Sequence, residues 1–176
     1  MLTVIAGPEN LTAIIAAKVN DLCGAGLAEP VALVDALPGT RRAGLAALGD
    51  DDLEAGLIQP LADLGETLAG LVPGHRRIVL IGTTEGLGHW DASLAAAFAA
   101  GATGLMRSVA LEFMREGVTI NMIALGTADD RQAMAAAHMA AAHMAAALLQ
   151  TDGVSGQVIA CDGGDNLRMA QARQRA

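Results

Sequence analysis

The run RRIVLIGTT at residues 76–84, followed at 95–126 by AAAFAAGATGLMRSVALEFMREGVTINMIALG, decides the fold. Ile78–Ile81 is a short apolar run of β-branched and leucine side chains, which reads as a buried strand. The alanine-rich stretch after it has helical length. Asp91 is its expected N-cap and Gly117 its stop, with the helix running to about Glu116. Val118–Leu125 is a second apolar strand. A strand, a helix and another continuously apolar strand predict a parallel sheet covered on both faces.

The pattern extends in both directions. Leu2–Ala6 reads as a strand ending in the turn signal Gly7-Pro8. Residues 10–22 follow as a helix, with Asn10 as N-cap and Gly24 as stop. Val31–Val34 is another buried-strand candidate, broken by Pro38-Gly39, and residues 40–50 form loop or a short turn. Asp50, Asp51 and Asp52 open a helix to about Leu71, since acidic side chains suit the partial positive charge of a helix start. Pro60 interrupts or shortens that helix, and Pro73-Gly74 ends it. Asp129 and Asp130 start an alanine-rich helix to about Gln150. Gln157–Cys161 is the fifth strand, and the tail from Asp165 is polar and frays. The predicted fold is α/β: a reduced Rossmann-like, doubly wound parallel sheet of about five strands with helices on both faces. No linker divides it, so residues 1–176 form one domain.

Composition narrows the function. Hydrophobic residues make up 53% of the 176 and charged residues 17%, which excludes disorder. Aromatics are only 2%, so small aliphatic side chains build the core, each burying little area. A partner surface is therefore expected. A net charge of -8 without a Lys/Arg cluster argues against nucleic acid. Cys23 and Cys161 match no metal spacing and read as reduced, buried thiols of a cytoplasmic protein. The N-terminus lacks the basic and long apolar regions of a signal peptide. Gln132–Thr151 carries no formal charge but is mostly alanine with His138 and His143, which reads as a soluble helix and not a membrane span. The repeat MAAAH, MAAAH, MAAAL at 134–148 advances a helix by about 140° per unit, so it makes no stripe and its two histidines make no metal pair. His75 and His89 lie in loops without ligands at useful spacing, and no metal site is expected.

The segment Gly104-Leu105-Met106-Arg107-Ser108-Val109-Ala110-Leu111-Glu112, the turn after Asn121, and Val154-Ser155-Gly156-Gln157-Val158 with Cys161-Asp162-Gly163-Gly164 together resemble the C-terminal half of the short-chain dehydrogenase/reductase family. The likeness covers about two-thirds of the chain well and the N-terminal third loosely. That family works through a Tyr-x-x-x-Lys pair on this helix. Counting back along the resemblance places Ala95 at the tyrosine position and Ala99 at the lysine position, and alanine can neither transfer the proton nor lower a tyrosine pKa. The chain has no tyrosine, and its only lysine is Lys18. Thr83 stands where the family's catalytic serine stands; its plain structural alternative is a loop threonine bonding local backbone. The family's auxiliary asparagine has no counterpart between residues 21 and 120.

The cofactor turn of the family, Thr-Gly-x-x-x-Gly-x-Gly, is matched here by residues 6–13, where only Gly7 is kept. Leu11 and Ala13 stand at the later glycine positions, and Glu9 adds negative charge where a pyrophosphate would lie. No cofactor is expected in this chain. Val31–Gly39 matches either the family's second strand, with Asp35 toward an adenosine ribose, or its fourth strand, whose final glycine would be Gly39; spacing to Asp50–Leu53 favours the fourth. Leu125 replaces the proline of the Asn-x-x-x-Pro-Gly turn, and the substrate lid is nearly deleted.

The resemblance implies a non-catalytic subunit of a paired enzyme. Helices 51–71 and 91–116 form the family's dimer bundle, and its last strand lies at a subunit contact. Ala95, Ala99, Ala102, Met106, Ala110, Phe113, Val158 and Cys161 are the expected interface residues; the plain alternative is that they pack on their own sheet. The expected partner is a catalytic paralogue, in a heterodimer or heterotetramer, carrying the NAD(P) of an oxidoreductase such as a hydroxyacyl-CoA dehydrogenase. Two alternatives stay open: an enzyme with altered chemistry using Thr83 and partner residues, or a small-ligand binding module using the emptied cleft.

Overall fold

The computed structural model describes residues 1–6, 11–24, 26–27, 29–37, 44–89, 91–126 and 131–167. Five strands form the sheet: β1 (Leu2–Ile5), β2 (Val31–Asp35), β3 (Arg77–Thr83), β4 (Thr119–Leu125) and β5 (Val158–Cys161). They lie side by side in chain order, all parallel. The central strands are apolar on both faces, and every residue of β4 is buried, as a doubly covered sheet requires.

Helices α1 (Leu11–Cys23) and α5 (Arg131–Leu148) cover one face. Ile15, Val19, Ala141, Ala145 and Leu149 pack there on Val31, Leu33, Val79, Ile81 and Ile123. Helices α3 (Gln59–Leu71) and α4 (Ser93–Glu112) cover the other. Leu64, Leu68, Phe98, Ala102 and Met106 pack there on Ala32, Val34, Ile78, Leu80 and Met122. Strands that advance steadily in one direction through crossovers of one hand keep all their helices on one face. With two connections on each face, the α1 and α5 crossovers have the opposite hand to the other two, so half of them take the rare left-handed form. The open Rossmann order 3-2-1-4-5-6 accounts for the α1 crossover. Without its strands 2 and 3 that order reads 1-4-5-6, which corresponds to β1–β4 with β5 one strand beyond, and α1, which led leftward to strand 2, now leads rightward. β2 lies between β1 and β3, the place of the fourth strand in that order and not of the second.

Local sequence accounts for most boundaries. Gly24, at φ +52, and Gly117, at φ +74, supply the left-handed residues that stop α1 and the turn Met114–Glu116 after α4. The Asp52 carboxylate accepts the Gly49 N–H at 2.9 Å and so closes the start of α2 (Asp50–Leu53). Pro60 does not break the helix. Glu54–Ile58 widens into a π turn, and α3 resumes at Gln59 with the proline in its first turn, where its missing N–H does no harm. The expectation for Asp91 fails. The residue sits at φ +57, the N-cap is Ala92 without a side-chain bond, and α4 begins at Ser93 and ends at Glu112. Gly88, at φ +97, and Asp91 turn the chain sharply out of the preceding turn, which leaves the aspartate in the wrong backbone region to cap. Asn10, Pro38-Gly39, Asp129 and Asp130 lie outside the described residues. α4 is long and apolar enough to cross a membrane by length and composition alone, but its apolar side is the inner wall of the α3/α4 layer.

Candidate functional site

Ligands of open α/β sheets bind outside the carboxyl ends of the strands, where the strand order reverses. Here the order runs straight from β1 to β5, so the sheet has no reversal point. What stands at those strand ends is a row of locally bonded polar groups. Asp35, ending β2, accepts the Leu37 N–H at 2.9 Å. Asp162, after β5, accepts the N–H groups of Gly164 and Asn166, both at 2.9 Å. Thr83, ending β3, turns its hydroxyl onto the Glu85 carboxylate at 3.2 Å, and Glu85 is buried.

Glu85 belongs to a tight turn, Thr84–Leu87, that lies on α4. At Gly86 even an added Cβ would come within 3.1 Å of the Ala100 nitrogen and 3.4 Å of the Ala99 Cβ. Ala95 is 1% exposed and Ala99 3%. The two positions expected for tyrosine and lysine are therefore adjacent turns of one buried helix face, and the Thr84–Leu87 turn rests against the second. The composition of both segments makes this contact possible. Glycine in the turn and alanine on the helix remove the side chains that would hold the backbones apart.

The expected interface residues divide. Ala95, Ala99, Ala102, Met106 and Ala110 are all buried within the chain itself, so the packing alternative describes them. Phe113 is half-buried, packed beside the same core. On the edge strand, Val158 is 36% exposed while Cys161 is buried. Outward on α4 stand Ala97, Ala100, Gly104, Ser108 and Leu111, a second face of mostly small residues with the same helical spacing as the first. Leu11 and Ala13 are half-buried in the first turn of α1; Gly7 and Glu9 lie outside the described residues.

Three features escape sequence reading. Asn121 sits inside β4, as the strand expected over Val118–Leu125 requires, but its hydrogen bonds leave no sequence signal. Its buried amide donates to the Val154 carbonyl at 2.8 Å and accepts the Gln157 N–H at 3.1 Å, clipping the approach to β5 onto β4. Gly126 lies so near Asp162 that an added Cβ would stand 2.7 Å from its Cβ. Buried Glu85 carries only a faint sequence signal, a lone acid among threonine and glycine. Burial pushes both the Cys23 and Cys161 thiols above their usual range, and Asp162 adds to the effect on Cys161. Burial and then the Lys18 ammonium hold His138 below the usual imidazole range. Among the described residues, no group of three His, Cys, Asp or Glu side chains is placed to hold a metal ion.

No family model matches the chain. A curated relative does: the (2S)-[(R)-hydroxy(phenyl)methyl]succinyl-CoA dehydrogenase subunit BbsC of Thauera aromatica is 37% identical over 99 residues, 53% of this chain and 40% of that protein. Among solved structures, the RhlG/NADP active-site complex of Pseudomonas aeruginosa superposes with a TM-score of 0.65 over 89% of this chain and 74% of that one, at 20% identity. Both of those proteins are of the short-chain dehydrogenase/reductase type. The chain resembles that type in fold over most of its length and in sequence over about half of it. Its likeness to RhlG is one of fold. The relation to BbsC is one of sequence with a dehydrogenase subunit, of which the matched part spans less than half. The fold shared with RhlG is carried here by a sheet of five strands.

Proposed function

We propose that this chain is a non-catalytic subunit that assembles with a catalytic short-chain dehydrogenase/reductase in an NAD(P)-dependent oxidoreductase. The observation that carries the reading is the burial of Ala95 and Ala99, with the Thr84–Leu87 turn packed against the latter. Neither alanine can supply a proton to a reacting alcohol or carbonyl, and the Thr83 hydroxyl, at the family's serine position, is engaged by Glu85. The unreversed strand order supports the same reading, since no crevice for a dinucleotide opens between strands. The carboxylates at the strand ends would repel a pyrophosphate. The relative's name, a dehydrogenase subunit acting on a hydroxyacyl-CoA compound, suggests a hydroxyacyl-CoA dehydrogenase as the enzyme served. The partner contacts the outer α3/α4 layer, where Leu111 is 72% and Ile58 54% exposed beside Ala97, Ala100 and Gly104.

The test has two arms. The isolated chain, titrated with NADH and NADPH by fluorescence, is expected to show no saturable binding. Co-expressed with a catalytic family member from the same genome, it is expected to co-purify, and Gly104→Arg or Leu111→Asp is expected to break the complex without changing the circular dichroism of the free chain. Tight cofactor binding by the isolated chain, or failure of every catalytic homologue to co-purify, would refute the proposal.

A further inference from the structure

The strand order leaves β1 at the edge of the sheet, where a full Rossmann order would continue into two more strands. Among the described residues nothing pairs with its outer side. The edge has none of the usual protections: Leu2–Ile5 reads LTVI, without charge, proline or bulge. Val4 and Ile5, on opposite faces, are 39% and 37% exposed, so neither helix layer reaches over the strand.

The hydrogen-bond phase of the edge follows from its inner neighbour. Val31 N–H donates to the Met1 carbonyl, and Leu2 stands in register with Val31. Residues 1, 3 and 5 therefore direct their backbone groups toward β2. Leu2 and Val4 direct theirs outward.

We propose that two copies of this chain join through β1, antiparallel about a two-fold axis at Thr3, into one continuous ten-stranded sheet. A two-fold contact must be complementary to itself. This register satisfies that condition. Leu2 of each copy faces Val4 of the other, giving four backbone hydrogen bonds, and Thr3 faces Thr3, a favourable cross-strand pair. No charge meets its like, although each chain carries -8 overall. The ladder alone buries less than the roughly 1,200 Å² of a standard interface, and the neighbouring flank of α1 extends it. Lys18 reaches Met139 of α5 from the opposite flank of α1. Ala13, Ala17 and Asn20 therefore lie toward the edge, and Ala17 and Asn20 are exposed. Their small size lets the two α1 helices meet across the axis. This contact is independent of the α3/α4 layer, so it stands or falls separately from the proposed catalytic partner.

Sedimentation velocity of the full chain is expected to show a concentration-dependent dimer. Val4→Pro removes only an outward N–H, which an edge strand tolerates. It is expected to weaken dimerisation by at least about tenfold with an unchanged far-ultraviolet spectrum. Thr3→Cys is expected to give a disulfide-linked dimer under mild oxidation, because facing non-hydrogen-bonded residues have Cα atoms about 4.5 Å apart, whereas Val4→Cys, opposite Leu2, is not. A chain monomeric at all concentrations, a dimer indifferent to Val4→Pro, or equal cross-linking of the two cysteine variants would overturn the proposal. Should Val4→Pro fail to fold, the cysteine pair still decides it.

Discussion

At Ala99 one methyl group separates the helix from the turn laid against it. Replacing it with lysine forces a long cationic chain into a site 3% exposed. Overpacking costs about 1–3 kcal/mol and the buried ammonium adds to it, so Ala99→Lys is expected to lower stability by at least about 2 kcal/mol in urea unfolding. Ala97→Lys, on the exposed face of the same helix, is expected to change stability by less than about 0.5 kcal/mol. His138 makes a second residue-scale prediction. Its folded pKa is depressed, first by burial and then by Lys18, so the folded chain binds fewer protons than the unfolded one in mildly acidic solution. Its contribution to stability is present above the unfolded imidazole pKa of about 6.5. It is lost as pH falls through that value toward the folded pKa. His138→Gln is expected to flatten the acid side of a melting-temperature profile measured from pH 7.5 to 5, and an unchanged slope would refute the assignment.

Among the elements, the close approach of the β4 and β5 ends is the most exacting. Gly126→Ala would place a Cβ 2.7 Å from the Asp162 Cβ and 3.1 Å from its Cα. Because one of those atoms is backbone, the Asp162–Gly164 turn must move, and a loss of about 1–3 kcal/mol is expected in chemical denaturation. The strands themselves were legible: Val31–Val34, Ile78–Ile81 and Val118–Leu125 are runs too apolar to sit anywhere but in a doubly covered sheet. Glycine stops at residues 24 and 117 were legible for the same reason, since both need positive φ. Asp91 was not, because its backbone is set by the turn before it and not by the helix after it. Pro60 is expected to interrupt or shorten its helix, yet the five-residue π turn Glu54–Ile58 lets the helix run on past the ring. The direction faced by Ala95, Ala99 and Ala102 could not be read from sequence, because α4 carries small residues on its inner and outer faces alike. The Gly86–Ala99 contact depends on how the Thr84–Leu87 turn folds back onto α4, which leaves no local signal.

For the whole molecule, the straight strand order and the mixed crossover hands describe a Rossmann sheet with one wing removed. Its two thiols report on that sheet as a unit. Cys23 on α1 and Cys161 on β5 sit in one core cluster, and burial keeps both in the unreactive thiol form. Alkylation of both is expected to be slow and to rise with denaturant along the global unfolding curve, monitored by mass spectrometry of each peptide. Early labelling of Cys161 alone would show that the β5 edge opens by itself. The turn against Ala99 also bears on the history of such a chain. A lost tyrosine or lysine can be regained by single substitutions as long as its cavity stays vacant. At residue 99 a lysine meets Gly86 and its neighbours already in place, so that step lowers stability before any other group is added. On the proposed non-catalytic reading, packing alone then holds the chain in that state.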